Sequence, residues 1–237
     1  MNSNKNTQIE NFIDGIGERY DLSTEQLLFM TQYDKCYDNG LSNQLVRMAW
    51  LSCFENIEMS EASSSSLPAK CLVPFLGAGK IILEAPKNTS FWAFNQDYYC
   101  HFIAKSTTSG VLKNSFAKYD FGTIAELFIV YEHKDMPVYD IVLCQPPKIC
   151  TIATLDANEA MAKLAGNDAR LYYFLRSSYF MAKGSVLIFF IEISEAQEFM
   201  KKVEKYKSAT YVSLDFDDYI SDEKSDNSFV ALKYLAV

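Results

Sequence analysis

Five short apolar runs dominate the C-terminal three quarters of the chain: "CLVPF" from Cys71, "FWAFN" from Phe91, "SFAKY" from Ser115, "DIVLC" from Asp140 and "SVLIFFIE" from Ser185. Between them lie stretches with helical spacing: "KIILEA", ended by Pro86, then Asp97–Lys105, Thr123–Tyr131, and Ala169–Met181 with Lys183-Gly184 as its stop; Glu195–Tyr206 follows the fifth run. Parallel strands need a crossover of a dozen or more residues, usually a helix, so this alternation predicts an α/β domain on a parallel sheet. Two further strands, Tyr211–Asp215 and Phe229–Ala236, are joined by the acidic loop "FDDYISDEKSDN" with no helix between them. They predict an antiparallel hairpin at one sheet edge.

Residues 1–66 read differently. Phe12 and Ile16 are spaced i,i+4, "STEQLLFMTQY" opens with a capping-box pattern, and "SNQLVRMAWLSCF" from Ser42 follows the Asn39-Gly40 turn. A helical N-terminal segment, 1–66, is therefore expected ahead of an α/β domain, 67–237, with the polar stretch "SEASSSSLPAK" between them. The segment carries ten acidic residues against four basic ones, so it holds most of the net charge of -8. That balance gives no general attraction to phosphate backbones, and nucleic-acid contact then requires a local patch or a partner.

With 49% hydrophobic residues in 237, the chain can bury a sizeable core. Its six cysteines form no CxxC pair, only His101 and His133 are available as imidazole ligands, and no apolar run approaches membrane-spanning length. A reduced, cytoplasmic protein without metal or membrane span is expected.

Chemistry is expected where strands end. In "VPFLGAGK", Gly77 and Gly79 allow backbone N–H groups to approach a ligand closely. A phosphate-binding Walker loop is excluded, because Pro74 stands where its first glycine belongs and Ile81 follows Lys80. Asn95 ends the second strand, where a polar side chain meets ribose hydroxyls, while Asp97 suits a helix N-cap. Asp120, past the third strand, suits either an adenine amino group or a turn with Gly122. In "DIVLCQPPK" the prolines end the strand at Gln145, presenting an amide oxygen and a backbone carbonyl at the sheet edge. Those are the groups that hold an exocyclic amine for attack on a methyl donor, although a rigid strand exit explains the same residues.

Taken in order, "PFLGAG", "AFNQD", "YDFG" and "DIVLCQPPK" resemble the motifs of class I S-adenosylmethionine-dependent methyltransferases, most nearly the N6-adenine DNA methyltransferases with their Asn-Pro-Pro-aromatic motif. "MAKGSVLIFFIE" is similar to that family's helix end and fifth strand. The resemblance implies a Rossmann-like sheet, parallel with an antiparallel C-terminal strand. It implies cofactor binding by Pro74, Gly77, Ala78, Gly79, Asn95, Gln96 and Asp120, and amine binding by Gln145, Pro146, Pro147 and Lys148.

The chain departs from the pattern at four positions. Val73 and Asn95 stand where the family has acidic residues, Gln145 replaces asparagine, and Lys148 replaces the aromatic residue that stacks on the target base. Each lost charged hydrogen bond is worth about 1.5–3 kcal/mol, and the missing stacking about 1–3 kcal/mol. Three functions follow as expectations: an N6-adenine-type DNA methyltransferase of reduced activity, an inactive methyltransferase-like subunit acting through a protein partner, and a protein-glutamine or RNA amine methyltransferase. A type I restriction-modification arrangement, with DNA specificity supplied by a partner subunit, is the implied setting for the first.

Overall fold

The computed structural model describes residues 41–59, 69–77, 79–85, 89–95, 117–121, 137–146, 165, 168–222 and 228–237. The helices expected before residue 41, at Asp97–Lys105 and at Thr123–Tyr131, and the candidate residues Ala78, Gln96, Pro147 and Lys148, lie outside the described residues.

Within them run α1 (Asn43–Met59), β1 (Ala69–Val73), α2 (Lys80–Leu83), β2 (Thr89–Asn95), β3 (Ala117–Phe121) and β4 (Tyr139–Cys144). There follow α3 (Ala169–Ser177), β5 (Met181–Glu192), α4 (Ile193–Lys205), β6 (Leu214–Ser221) and β7 (Phe229–Ala236). The seven strands form one sheet in the order β3-β2-β1-β4-β5-β7-β6. The first five are parallel, while β7 runs antiparallel between β5 and β6.

Period-two alternation assigns each strand residue to one of two apolar layers. Cys71, Val73, Ile141, Leu143, Val186, Ile188, Phe190 and Ala231 pack with Leu45, Trp50 and Cys53 of α1 and with Ile81 and Ile82 of α2. The alternate residues Leu72, Val142, Leu187, Phe189, Ile191, Val230 and Leu232 pack with α3 and α4. Phe189 stacks on Phe199 at 4.6 Å and meets Phe174 edge-on at 5.6 Å.

Helix α1 opens as the sequence implies, the Ser42 hydroxyl oxygen accepting from the Leu45 N–H at 2.9 Å. Its apolar face, Leu45, Val46, Ala49, Trp50 and Cys53, is buried on the sheet. Helix α3 begins at Asp168, whose carboxylate accepts from the Arg170 and Leu171 N–H groups, each at 3.2 Å.

Several boundaries differ from the sequence reading. Helix α3 ends at Ser177, and a single 3₁₀ turn, Ser178–Phe180, leads into β5 at Met181 rather than Ser185. Gly184, expected as a helix stop, sits inside that strand at φ 92, where the pairing with β4 shifts register between Tyr139 and Ile141. The first half of the expected acidic loop, Phe216–Ser221, is part of strand β6, with a register shift between Phe216 and Asp218. As an edge strand solvated at Phe216–Tyr219, it shows no apolar alternation from which to recognise it.

Candidate functional site

Parallel strands place their carboxyl ends on one edge, and the chain's two directions of winding diverge between β1 and β4. From β1 it steps outward to β2 and β3, and from β4 outward to β5. A crevice opens beyond the carboxyl ends where the windings part, because the connections on the two sides leave in opposite directions.

Both candidate motifs flank that crevice. The pairing of Cys71 with Ile141 and Leu72 with Val142, continued two residues, sets Pro74 level with Cys144 and Phe75 level with Gln145. The two exits thus leave from neighbouring strands, about 5 Å apart in the sheet. Asn95 ends β2 as expected. Asp120 lies within β3, not past it, paired with Phe94 and one residue short of the end.

The turn after β1 is held by its own backbone. The Leu76 N–H bonds the Phe94 carbonyl at 2.9 Å, which pins the turn to β2, and the Gly79 N–H bonds the Leu76 carbonyl at 3.1 Å. Gly77 at φ 58 and Gly79 at φ 99 take left-handed conformations that cost other residues roughly 1–2 kcal/mol. Gly79 caps α2 without a side-chain bond, and both glycines are buried, their place fixed by these backbone bonds.

Lys80 decides what charge the turn can take. Its side chain is buried and its ammonium donates to the Leu41 carbonyl, ahead of α1. The cation that would recognise a phosphate is therefore engaged with α1. A cofactor without phosphate groups makes no demand on such a cation.

Gln145 follows the last residue of β4 and is 3% exposed, and Pro146 is buried beside it. A buried amide at a strand exit is shielded from competing water, which strengthens any hydrogen bond it makes to a ligand. Phe75 lies between the motifs, with Tyr173 of α3 edge-on to it at 4.7 Å. Neither ring was recognised from sequence. Tyr173 carries no motif, and only the fold brings α3 against the turn.

Also missed were three contacts from the α1 region to α2: Lys80 to the Leu41 carbonyl, the Trp50 indole N–H to the Ile81 carbonyl at 2.8 Å, and Arg47 to Glu84 at 2.6 Å. Arg47 and Trp50 are three apart, hence neighbours on the helix surface, but their partners depend on tertiary packing. Among the described residues no group of three or more His, Cys, Asp or Glu is placed to hold a metal ion. No helix among them is long and apolar enough to cross a membrane.

No protein-family profile matches the chain, and no curated protein sequence matches it. Solved structures do. The human methyltransferase 10 domain containing protein matches with a TM-score of 0.60 at 11% identity, over 98% of this chain and 96% of that one. An S-adenosylmethionine-dependent methyltransferase from Clostridium acetobutylicum matches with a TM-score of 0.56 at 13% identity, over 88% and 98%. The fold is that of class I S-adenosylmethionine-dependent methyltransferases. An rRNA methylase from Streptococcus thermophilus also matches, with a TM-score of 0.51 at 9% identity, over 79% of this chain and 95% of that one. At such identities the likeness concerns architecture, and the expected parallel sheet with its antiparallel C-terminal strand is the one observed.

Proposed function

We propose that this protein is an S-adenosylmethionine-dependent methyltransferase acting on an exocyclic amine of the N6-adenine type, with the nucleic acid brought to it by a partner subunit. One observation carries the reading: the glycine turn after β1 and the Gln145-Pro146 pair after β4 leave neighbouring strands on either side of the sheet's switch point. With Lys80 engaged by the Leu41 carbonyl, the turn offers no lysine side chain to a phosphate, in keeping with a cofactor that carries none.

In this reading Pro74, Gly77, Ala78 and Gly79 bring backbone to the cofactor, and Asn95, Gln96 and Asp120 bond its ribose and adenine. When bound, the cofactor supplies an electrophilic methyl group. Gln145 accepts one amine N–H on Oε1 and the Pro146 carbonyl accepts another, which turns the nitrogen lone pair toward that methyl. Neither group is a base, so the amine proton passes to water. Pro147 follows Pro146 in the sequence, and Lys148 stands where the family has an aromatic residue that stacks on the base.

Calorimetric titration with S-adenosylmethionine, followed by transfer of labelled methyl to DNA, RNA and glutamine-containing protein acceptors, tests this. Saturable binding and transfer to adenine, abolished in Gln145→Ala, are expected. Absence of heat at millimolar cofactor overturns the reading. Binding without transfer to any acceptor supports the second reading, a methyltransferase-like subunit acting through a protein partner, which the replacement of the stacking residue by Lys148 favours.

A further inference from the structure

Helix α2 has four residues, a single turn, and an isolated helix that short does not hold its shape in water. Gly79, which caps it, makes no side-chain cap bond. Its shape is supported from outside by α1. The Trp50 indole N–H donates to the Ile81 carbonyl at 2.8 Å, Arg47 meets the buried Glu84 at 2.6 Å, and Lys80 donates to the Leu41 carbonyl. Leu45, Ala49 and Trp50 share one apolar layer with Ile81, Ile82 and Ala85.

The support is itself anchored. At the start of α1 the Ser42 hydroxyl donates to Asp222, just past β6, at 2.6 Å. Phe91 of β2 meets Trp50 edge-on at 5.8 Å. Helix α1 thus spans the sheet from the β6 end to the glycine turn. A displacement of α1 cannot leave α2 unchanged.

We infer that α1 is a strut that presets the glycine turn, with Trp50 and Arg47 as positioning residues that set cofactor affinity without touching the cofactor. The inference rests on the proposed S-adenosylmethionine site. A ligand that binds only the ordered turn has its apparent dissociation constant divided by the fraction of molecules in that state. Loosening the turn therefore weakens binding, even though every group that touches the cofactor is intact.

The test uses the full chain and three variants: Trp50→Phe, which keeps an aromatic ring but loses the indole donor, Arg47→Gln, and the conservative Arg47→Lys. Calorimetry with S-adenosylmethionine is expected to show a weaker dissociation constant for Trp50→Phe, by at most about fivefold, the full factor carried by one hydrogen bond. Arg47→Gln is expected to weaken binding similarly and Arg47→Lys to recover most of it. Variants that lower the melting temperature but leave the dissociation constant unchanged overturn the inference, because a merely structural helix behaves that way.

A wild type that binds no cofactor overturns the proposed function, and hydrogen exchange then decides the strut separately. The amides of Ile82 and Ala85 bond within the turn, to the Gly79 and Ile82 carbonyls, each at 3.0 Å. Several-fold faster exchange at both in Trp50→Phe, at unchanged rates in β5, supports the strut. Unchanged exchange overturns it.

Discussion

Asp168 joins two helices and carries a prediction in which charge and capping separate. It caps α3 through the Arg170 and Leu171 N–H groups, and it receives Lys202 of α4 at 2.9 Å. Burial pushes its carboxyl upward, but the bond from Lys202, the Leu171 N–H and the charges of Lys202 and Arg170 outweigh it and hold the group below the usual range. Replacing Asp168 by alanine removes a cap worth about 1 kcal/mol. It also removes an ion pair worth at most about 1 kcal/mol, since the two side chains are 22% and 40% exposed. Lys202 keeps Glu198 at 3.0 Å, so no ammonium is stranded. The sum, about 1–2 kcal/mol, lowers the melting temperature by roughly 3–7 °C in a chain of this size.

Asp168→Asn keeps an equivalent cap and loses only the pair, for about a third of that loss. A carboxyl held low in the folded state stabilises above its unfolded value, near 3.9, and loses that contribution as pH falls through the folded value. The gap between wild type and Asp168→Asn should therefore be full near neutral pH and should narrow as pH falls through the folded value. Lys202 gives the mirror case: the bonds it donates to Asp168 and then to Glu198 raise it, so its contribution is present below its unfolded value and fades as pH rises through the folded one. Thermal melts of the three proteins across pH measure this. An asparagine variant as damaged as the alanine variant refutes the capping account, and a gap that does not narrow on acidification refutes the charge account.

Other expectations concern the core, a backbone position and the thiols. Phe189→Ala, beneath Phe174 and Phe199, should cost about 3–5 kcal/mol in urea denaturation, and a loss under 1 kcal/mol contradicts the packing described. Gly184 has φ 92 and nothing within 4 Å of an added Cβ, so Gly184→Ala should cost roughly 1–2 kcal/mol from backbone strain alone. Gly184→Asn should cost less, and denaturation midpoints in the reverse order argue against strain as the cause. Burial raises the Cys53 thiol to about 12 and the Cys71 thiol well above 9.0, and Cys144 is buried too. Iodoacetamide at pH 8 should spare all three until urea is added, and mass spectrometry showing labelled Cys53 in folded protein refutes that protection.

The parts of the fold legible in the sequence were those fixed by burial on both faces of the sheet. Strands β1, β2, β4 and the core of β5 have continuous apolar runs because helices cover both sides, and no competing pattern resembles them. Legibility failed where solvent or backbone geometry decides. Strand β6 is acidic because it is an edge, and its composition is that of a loop. The start of β5 carries Ala182, Lys183 and Gly184, all exposed, which end a helix as readily as they bend a strand. The places of Gly77, Gly79, Asn95 and Gln145 in the fold were legible because the apolar runs before them mark where each strand ends. Phe75, Tyr173, Arg47 and Trp50 were not, since their partners are 31 or more residues away and local spacing says nothing about them.

Val73 illustrates how these parts depend on one another. The family resemblance puts a carboxylate there, yet Val73 is fully buried in the apolar layer that contains Trp50, Ile81 and Ile141. An ionised group in that layer needs a cation close by, and the lysine that follows the turn, Lys80, already donates to the Leu41 carbonyl. Valine at 73 and a lysine turned toward α1 are therefore mutually consistent: the layer stays apolar, and the turn is steadied by bonds from α1 in place of a side-chain carboxylate within the motif. Introducing Val73→Asp alone would bury an unpaired charge and destabilise the fold before it improved cofactor binding. The place of Gln145 is set by β4, which ends at Cys144, and by Pro146 after it. Cofactor affinity and amine positioning should accordingly respond to separate substitutions, the first to Trp50 and Arg47 and the second to Gln145.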